Sequence, residues 1–240
     1  MAYSAEEEAL VENIITQIDY EYFRQINNFD ALRARLGIQA QNTSSSDPVT
    51  IKVLIVMLYS HYEGFIKYAS LRYVELINRL NLDTSAVKAE FAAASLNSVF
   101  KDVEQNQAKC DFFRNSLPDD SALHRLYRRS NLVKHLQGLW SKKIVIDETY
   151  IDTESNLKYD ILCRTLYSIG LDPRLMESYQ SEIGLLLRFR NPIAHGDSIS
   201  ENTYLSLYPK IEAAVRDIIR EFRHVVKNAI ISQKFLQHIA

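Results

Sequence analysis

The sequence predicts an all-α fold, and three observations carry that expectation. Glycine and proline are scarce, 6 and 5 in 240 residues, which argues for long helices over a turn-rich β architecture. Long stretches repeat apolar residues at three- and four-residue steps, the period of an amphipathic helix. The one credible β signal is short: Lys143-Ile144-Val145-Ile146-Asp147 followed by Tyr150-Ile151-Asp152, a candidate hairpin.

Read in order, residues 4–36 form one amphipathic helix on Leu10, Ile14, Ile15, Ile18, Tyr22, Phe23, Ile26 and Phe29, stopped by Gly37. The polar, serine-rich stretch 39–48 is a loop. A long helix follows over 49–80. Its first half is apolar on nearly every face, which predicts the central, most buried element. Asp83-Thr84-Ser85 caps a further helix to about Phe100, and 101–118 is irregular. Ser121 opens a basic helix to about Leu136. Asn156 to Ile169 is a helix ended by Gly170, and Asp172-Pro173 starts the next. Ser198 and Glu201 have the spacing of a capping box for a last helix towards Ala229, with Pro209 as a kink or early boundary. No internal repeat is present. The whole is expected to be a single domain over 1–240, with an N-terminal helix (1–38), a polar loop (39–48) and a helical core (49–240).

Composition narrows the function. The chain is 47% hydrophobic and 24% charged, ordinary for a soluble globular protein. The net charge of −2 does not announce a nucleic-acid binder. Local charge is uneven. Residues 1–30 hold seven acids against Arg24, while 109–143 hold eight bases (Lys109, Arg114, Arg125, Arg128, Arg129, Lys134, Lys142, Lys143) against three acids. A clustered basic surface can attract a polyanion, although a solvated helix face explains any one of these residues equally well. Cys110 and Cys163 form no metal-ligand spacing, and His124 and His135 are expected on the surface. The N-terminus lacks an apolar signal core, and the longest apolar run, Val53 to Tyr59, is short for a bilayer span. A cytoplasmic protein with no membrane partner is the expectation. No Gly-rich phosphate loop, Gly-x-Ser-x-Gly elbow or His-Glu-x-x-His is present, so NTPase, serine hydrolase and zinc protease chemistries have no support.

The most specific segment is Arg188-Phe189-Arg190-Asn191-Pro192-Ile193-Ala194-His195-Gly196. Histidine can carry a proton both ways near neutral pH, and arginine's planar fork matches phosphate oxygens. Together they suit metal-free chemistry on a phosphodiester. On a straight helix Arg190 and His195 would sit about 140° apart. Pro192 disfavours helical backbone at Asn191, so the helix is expected to end near Arg190. Asn191 would then cap a new turn closed by Gly196, and both side chains would turn toward one cleft. The alternative is a helix-ending arginine and a helix-capping histidine with no chemistry.

The segment from Arg190 to Gly196 resembles the Arg-x4-6-His motif of the HEPN superfamily, α-helical proteins that include many metal-independent ribonucleases. Asn191 fits the polar residue typical after the arginine. A second segment, Leu58-Tyr59-Ser60-His61-Tyr62-Glu63-Gly64-Phe65-Ile66-Lys67, resembles the aromatic-Glu-Gly-Phe helix of a HEPN branch found in prokaryotic conflict systems. The resemblance spans about 49–226. It implies a HEPN-like helical bundle and an endoribonuclease of toxin–antitoxin or phage-defence type. It also implies an RNA substrate, a homodimer with the cleft at its interface, and an antitoxin or other regulator as partner.

Such cleavage uses the ribose 2′-OH as nucleophile, giving a 2′,3′-cyclic phosphate and a 5′-OH. His195 is the candidate base or acid, Arg190 the phosphate-holding group, and Asn191 a positioning group. Arg188 is a second candidate phosphate contact. Glu63 is placed to pair with Arg190 and orient it, with His61 as a further supporting candidate. No metal ligand set and no cofactor are expected. One histidine cannot easily be both base and acid in a turnover, and two copies of the motif across a dimer would supply both. Two alternatives stay open: a non-catalytic HEPN-like module binding a partner protein, nucleotide or RNA, and an RNA-binding adaptor using the basic 109–143 region.

Overall fold

A computed structural model describes residues 3–38, 47–104, 109–118, 121–196 and 201–237. The predicted loop over 39–46 and the capping Ser198 lie outside the described residues. The fold is all-α. The chain divides into two compact units: residues 1–76 with 151–234, and residues 77–150 with 235–240.

The first unit is built on long helices. Helix α1 (Ala5–Arg35) opens on a complete capping box. The Ser4 hydroxyl accepts from the Glu7 N–H, and the Glu7 carboxylate accepts from the Ser4 N–H. It ends where Gly37 takes a left-handed φ of 69°. Helix α2 (Pro48–Arg79) starts with proline at its first position, and the Asp47 side chain accepts from the Thr50 N–H. By length and composition α2 could cross a bilayer. In this unit Ile51, Leu54, Leu58, Tyr62, Phe65 and Ile66 are buried, as expected for the central element.

Helices α6 (Tyr159–Ser168), α7 (Gln180–His195) and α8 (Glu201–Ile231) complete the unit. Gly170 (φ 66°) lies just past α6. Helix α8 runs along α1 and α7, and it passes through Pro209 without ending, so the early boundary allowed there is not used. Ion pairs lace α1 to α8. Asp19 accepts from Arg223 and Lys227 at 2.6 and 2.7 Å. Buried Glu212 holds Arg33 at 2.6 Å and Arg216 at 2.9 Å.

The second unit holds α3 (Ala89–Ser95), α4 (Asn97–Glu104) and α5 (Ala122–Trp140), with a 3-10 turn at Thr84–Ala86. The single helix expected over 83–100 is therefore broken into three pieces. Ser121 caps α5 by accepting from the His124 N–H. His124, expected on the surface, is instead buried, and its Nδ1 accepts from the Cys110 N–H at 3.1 Å.

The expected hairpin at 143–152 is absent among the described residues, and the cause is local. Both backbone groups of Ile146 bond the Asn78 side chain, and the Ile144 N–H bonds the Leu82 carbonyl. Asp147 then accepts from the Thr149 N–H and starts a 3-10 turn at Glu148–Tyr150. Side-chain and loop partners satisfy the polar groups that a second strand would have taken.

Candidate functional site

The motif occupies the last two turns of α7, and its backbone corrects the sequence expectation. The helix does not stop at Arg190. It runs unbroken through Pro192 to His195 and closes on Gly196 at φ 78°, ψ 16°. Proline costs the helix one N–H bond, which would have gone to the Arg188 carbonyl. A turn from its end this loss is local, and the left-handed glycine supplies the stop. Asn191 therefore does not cap a new turn. Its Oδ1 accepts from Arg190 Nη1 at 3.0 Å.

An unbroken helix keeps Arg190 and His195 about 140° apart. Among the described residues no hydrogen bond joins them, and they do not turn toward one cleft of a single chain. His195 is exposed and Arg190 is half-buried. Arg188 is exposed. Seven residues before His195, it lies within about 20° of that residue's direction, two turns back along the helix.

Arg190 is held by α2. Its guanidinium carbon lies 4.1 Å from the centroid of the Tyr59 ring, a cation–π contact. Tyr59 is itself fixed: its hydroxyl accepts from the Leu157 N–H at 2.7 Å. Burial pushes its phenol up to about 12. The Glu63 carboxylate adds to the rise, while the Leu157 N–H and Arg190 act the other way. Glu63, one turn after Tyr59, accepts from the Thr153 hydroxyl at 2.7 Å.

The expected direct pair between Glu63 and Arg190 is not formed. Tyr59 stands as the intermediate, touching the arginine with its ring and the carboxylate's field with its hydroxyl. Tyr59 lay inside the segment already singled out, and its i,i+4 relation to Glu63 was visible there. Thr153 and Leu157 come from a distant segment and carried no local signal.

His61 points elsewhere. Two positions from Tyr59, it faces about 200° away on the helix. Its ring meets Phe29 of α1 edge-on at 5.9 Å. Burial, helped by Arg24 and Arg216 and opposed by Glu21, lowers its pKa below the ordinary imidazole value. It belongs to the α1–α2 packing and does not join the motif.

A cleft of about 360 Å³ is lined by Asp30, Arg33, Pro209, Glu212, Ala213 and Arg216, and it contains no motif residue. Its charges pair among themselves, with Arg33 and Arg216 both held by Glu212. No group of three His, Cys, Asp or Glu among the described residues is arranged to hold a metal ion.

What remains is an arginine anchored on an aromatic ring, an amide beside it, and an exposed imidazole one helical turn onward. The arginine can bind and neutralise a phosphate, and the imidazole can move a proton. A family model described as RiboL-PSP-HEPN matches residues 19–228. No curated protein and no solved structure matches the chain.

Proposed function

The chain belongs to the RiboL-PSP-HEPN family, and from that membership we propose that it is a metal-independent endoribonuclease. The observation that carries the reading is Arg190. A half-buried guanidinium anchored over Tyr59 at 4.1 Å is a preorganised phosphate contact. It sits five residues before an imidazole that is free to reach solvent.

In the proposed reaction one imidazole takes the proton from a ribose 2′-OH as its oxygen attacks the adjacent phosphorus. The P–O5′ bond breaks with its electron pair going to O5′, and a second, protonated imidazole gives that oxygen its proton. The products are a 2′,3′-cyclic phosphate and a 5′-OH. Arg190 stabilises the charge on the phosphoryl oxygens, and Asn191 holds the guanidinium in register. Since one chain aims Arg190 and His195 about 140° apart, the two imidazoles and their arginines come from two copies in a homodimer. A role as toxin or defence effector, restrained by an antitoxin or other regulator, accompanies this reading.

A second reading draws on that same divergence. If no second copy completes the site, the protein is a non-catalytic helical module and Arg190 serves packing alone. One assay separates the two: total RNA incubated in excess EDTA with wild type and with His195→Ala. Cleavage by wild type only, leaving cyclic-phosphate ends, supports the ribonuclease. Equal behaviour of the two proteins supports the module.

A further inference from the structure

One short segment, residues 152–157 ahead of α6, supplies two of the bonds that hold α2 beneath Arg190. The buried Thr153 hydroxyl donates to Glu63 Oε1 at 2.7 Å. The Leu157 N–H donates to the Tyr59 hydroxyl at 2.7 Å. Between these two donors, Glu154 and Ser155 take left-handed φ angles of 54° and 52°. Two successive non-glycine residues in that region are strained, and such strain persists only where neighbouring bonds fix it. Here they do. The Glu154 N–H donates to Asp152 Oδ1 at 2.8 Å, and the Glu154 carboxylate meets Arg164 at 2.7 Å. The Asn156 N–H donates to the Thr153 carbonyl at 3.2 Å. The segment is a built support that fixes where the Thr153 hydroxyl stands.

The bond from Thr153 decides a competition for Glu63. This carboxylate stands one turn along α2 from Tyr59, over whose ring the Arg190 guanidinium lies at 4.1 Å. Both charges act on the Tyr59 phenol, the carboxylate raising its pKa and the guanidinium lowering it. A carboxylate this close to a half-buried arginine has every electrostatic reason to pair with it, and the guanidinium fork matches it geometrically. The two do not pair. Arg190 Nη1 donates to Asn191 at 3.0 Å, and Thr153 holds Glu63 instead. An arginine paired with Glu63 would offer a phosphate neither its full charge nor its open fork, and the carboxylate itself would repel the anion.

We propose that Thr153 is a positioning residue for the phosphate site: its hydroxyl holds the Glu63 carboxylate off Arg190 and so keeps the guanidinium open to a phosphate. The phosphate role of Arg190 is that of the ribonuclease reading, on which this inference rests. Thr153 touches no substrate and acts through Glu63. Released from Thr153, Glu63 competes with the phosphate, the reverse of the orienting role expected from the sequence.

The experiment reads binding without turnover. The full chain is titrated into a labelled oligodeoxyuridylate of about 16 nucleotides, which lacks the 2′-OH nucleophile, and anisotropy is followed. Arg190→Ala should weaken binding by about tenfold or more, which assigns the signal to this arginine. Thr153→Val removes the hydroxyl at nearly constant volume and should weaken binding by about tenfold, the scale of a hydrogen bond to a charged group. Thr153→Ser keeps the hydroxyl and should bind like wild type. In a Glu63→Gln background no carboxylate is left to compete, so Thr153→Val should there cost less than about twofold, the error of additivity. A residue that only supports the fold would cost the same in both backgrounds. Thr153→Ala repeats the comparison if the valine variant does not fold.

The outcomes separate this inference from the reading beneath it. A folded Thr153→Val chain that binds like wild type overturns it, and so does an equal loss with and without Glu63→Gln. Wild-type binding that is absent, or that Arg190→Ala leaves unchanged, overturns it as well, because no phosphate then sits at Arg190. The expected pattern in a chain that never cleaves RNA leaves the role of Thr153 standing and removes the ribonuclease. A chain that cleaves RNA without that pattern keeps the ribonuclease and loses the role of Thr153.

Discussion

Arg190 lies over the ring of Tyr59, its guanidinium carbon 4.1 Å from the ring centroid, and this contact ties the end of α7 to the middle of α2. The ring is held from behind, because the Tyr59 hydroxyl accepts from the Leu157 N–H and Glu63 is fixed by Thr153. The arginine's direction is thus set by packing and not by a direct carboxylate pair.

Tyr59→Phe keeps the ring and should retain most of the cleavage rate. Tyr59→Leu removes the π face and should lower kcat/KM by roughly twofold to thirtyfold, the span of a cation–π contact of about 0.5–2 kcal/mol. Thermal melts provide the control. Tyr59→Phe should itself destabilise by about 1–3 kcal/mol, since the buried Leu157 N–H loses its acceptor. A folded Tyr59→Leu enzyme with the wild-type kcat/KM would show that the ring does not position Arg190.

Much of this arrangement was legible in the sequence, and the misses share a cause. The ends of α1 and α6 were readable because Gly37 and Gly170 take the left-handed backbone that glycine tolerates; Gly196 was legible as a stop, but of a separate turn and not of α7. Elements set by one side chain were not readable. Asn78 absorbs both backbone groups of Ile146 and so removes the hairpin. Pro192 read as a break because a proline's local rule says so, yet a helix within a turn of its end tolerates the lost bond. Within the site, the separation of His61 from Glu63 follows from their two-residue spacing alone. That Tyr59 meets Arg190 depends on how α2 and α7 pack, and no local pattern encodes it.

Direct tests of the motif are substitutions at its two charged groups. Arg190→Ala and His195→Ala should each lower the cleavage rate by at least about 10²-fold, the scale of a general acid–base group. His195 is exposed, so its variant should melt like wild type. Arg190→Lys should rescue poorly, since an ammonium lacks the planar fork. Arg188→Ala should cost less than Arg190→Ala in single-turnover rates. The reverse order would move the phosphate contact to the exposed face that Arg188 shares with His195.

Buried Glu212 predicts a stability effect independent of any activity. It accepts from Arg33 and Arg216 and couples α1 to α8. Glu212→Ala leaves both arginines without that carboxylate. The loss should fall toward the low end of the roughly 3–5 kcal/mol seen when one partner of a buried pair is removed, because both arginines reach solvent in part. Glu212→Gln, which keeps an acceptor, should lose less. Urea unfolding reads both, and equal midpoints for Ala and wild type would mean that the pair adds nothing net.

Alkaline pH should loosen the first unit. Burial raises the phenols of Tyr3 and Tyr59 from 10.0 to about 12. Below pH 10 both states hold the proton and the stability is whole. Between about 10 and 12 the unfolded chain ionises first, so stability falls as pH rises, and the part of the loss that these two phenols contribute is complete above 12. Tyr59→Phe removes one of these groups and should make the fall shallower in urea titrations across that window. An unchanged slope would mean that Tyr59 titrates at its ordinary value in the folded chain.

The unbroken α7 makes a prediction about assembly. Arg190 and His195 of one chain diverge by about 140°, so a site that uses both should draw them from different copies related by a two-fold axis. Light scattering should find a dimer at assay concentration. Arg190→Ala and His195→Ala proteins, each inactive alone, should recover part of the wild-type rate after mixing under conditions that exchange subunits. In that mixture one chain supplies the arginine and the other the imidazole. Recovery should saturate below the wild-type rate, because each mixed dimer holds a single histidine to serve as base and acid in turn. An active monomer at assay concentration would place the whole chemistry within one chain and require α7 to break at Pro192 after all.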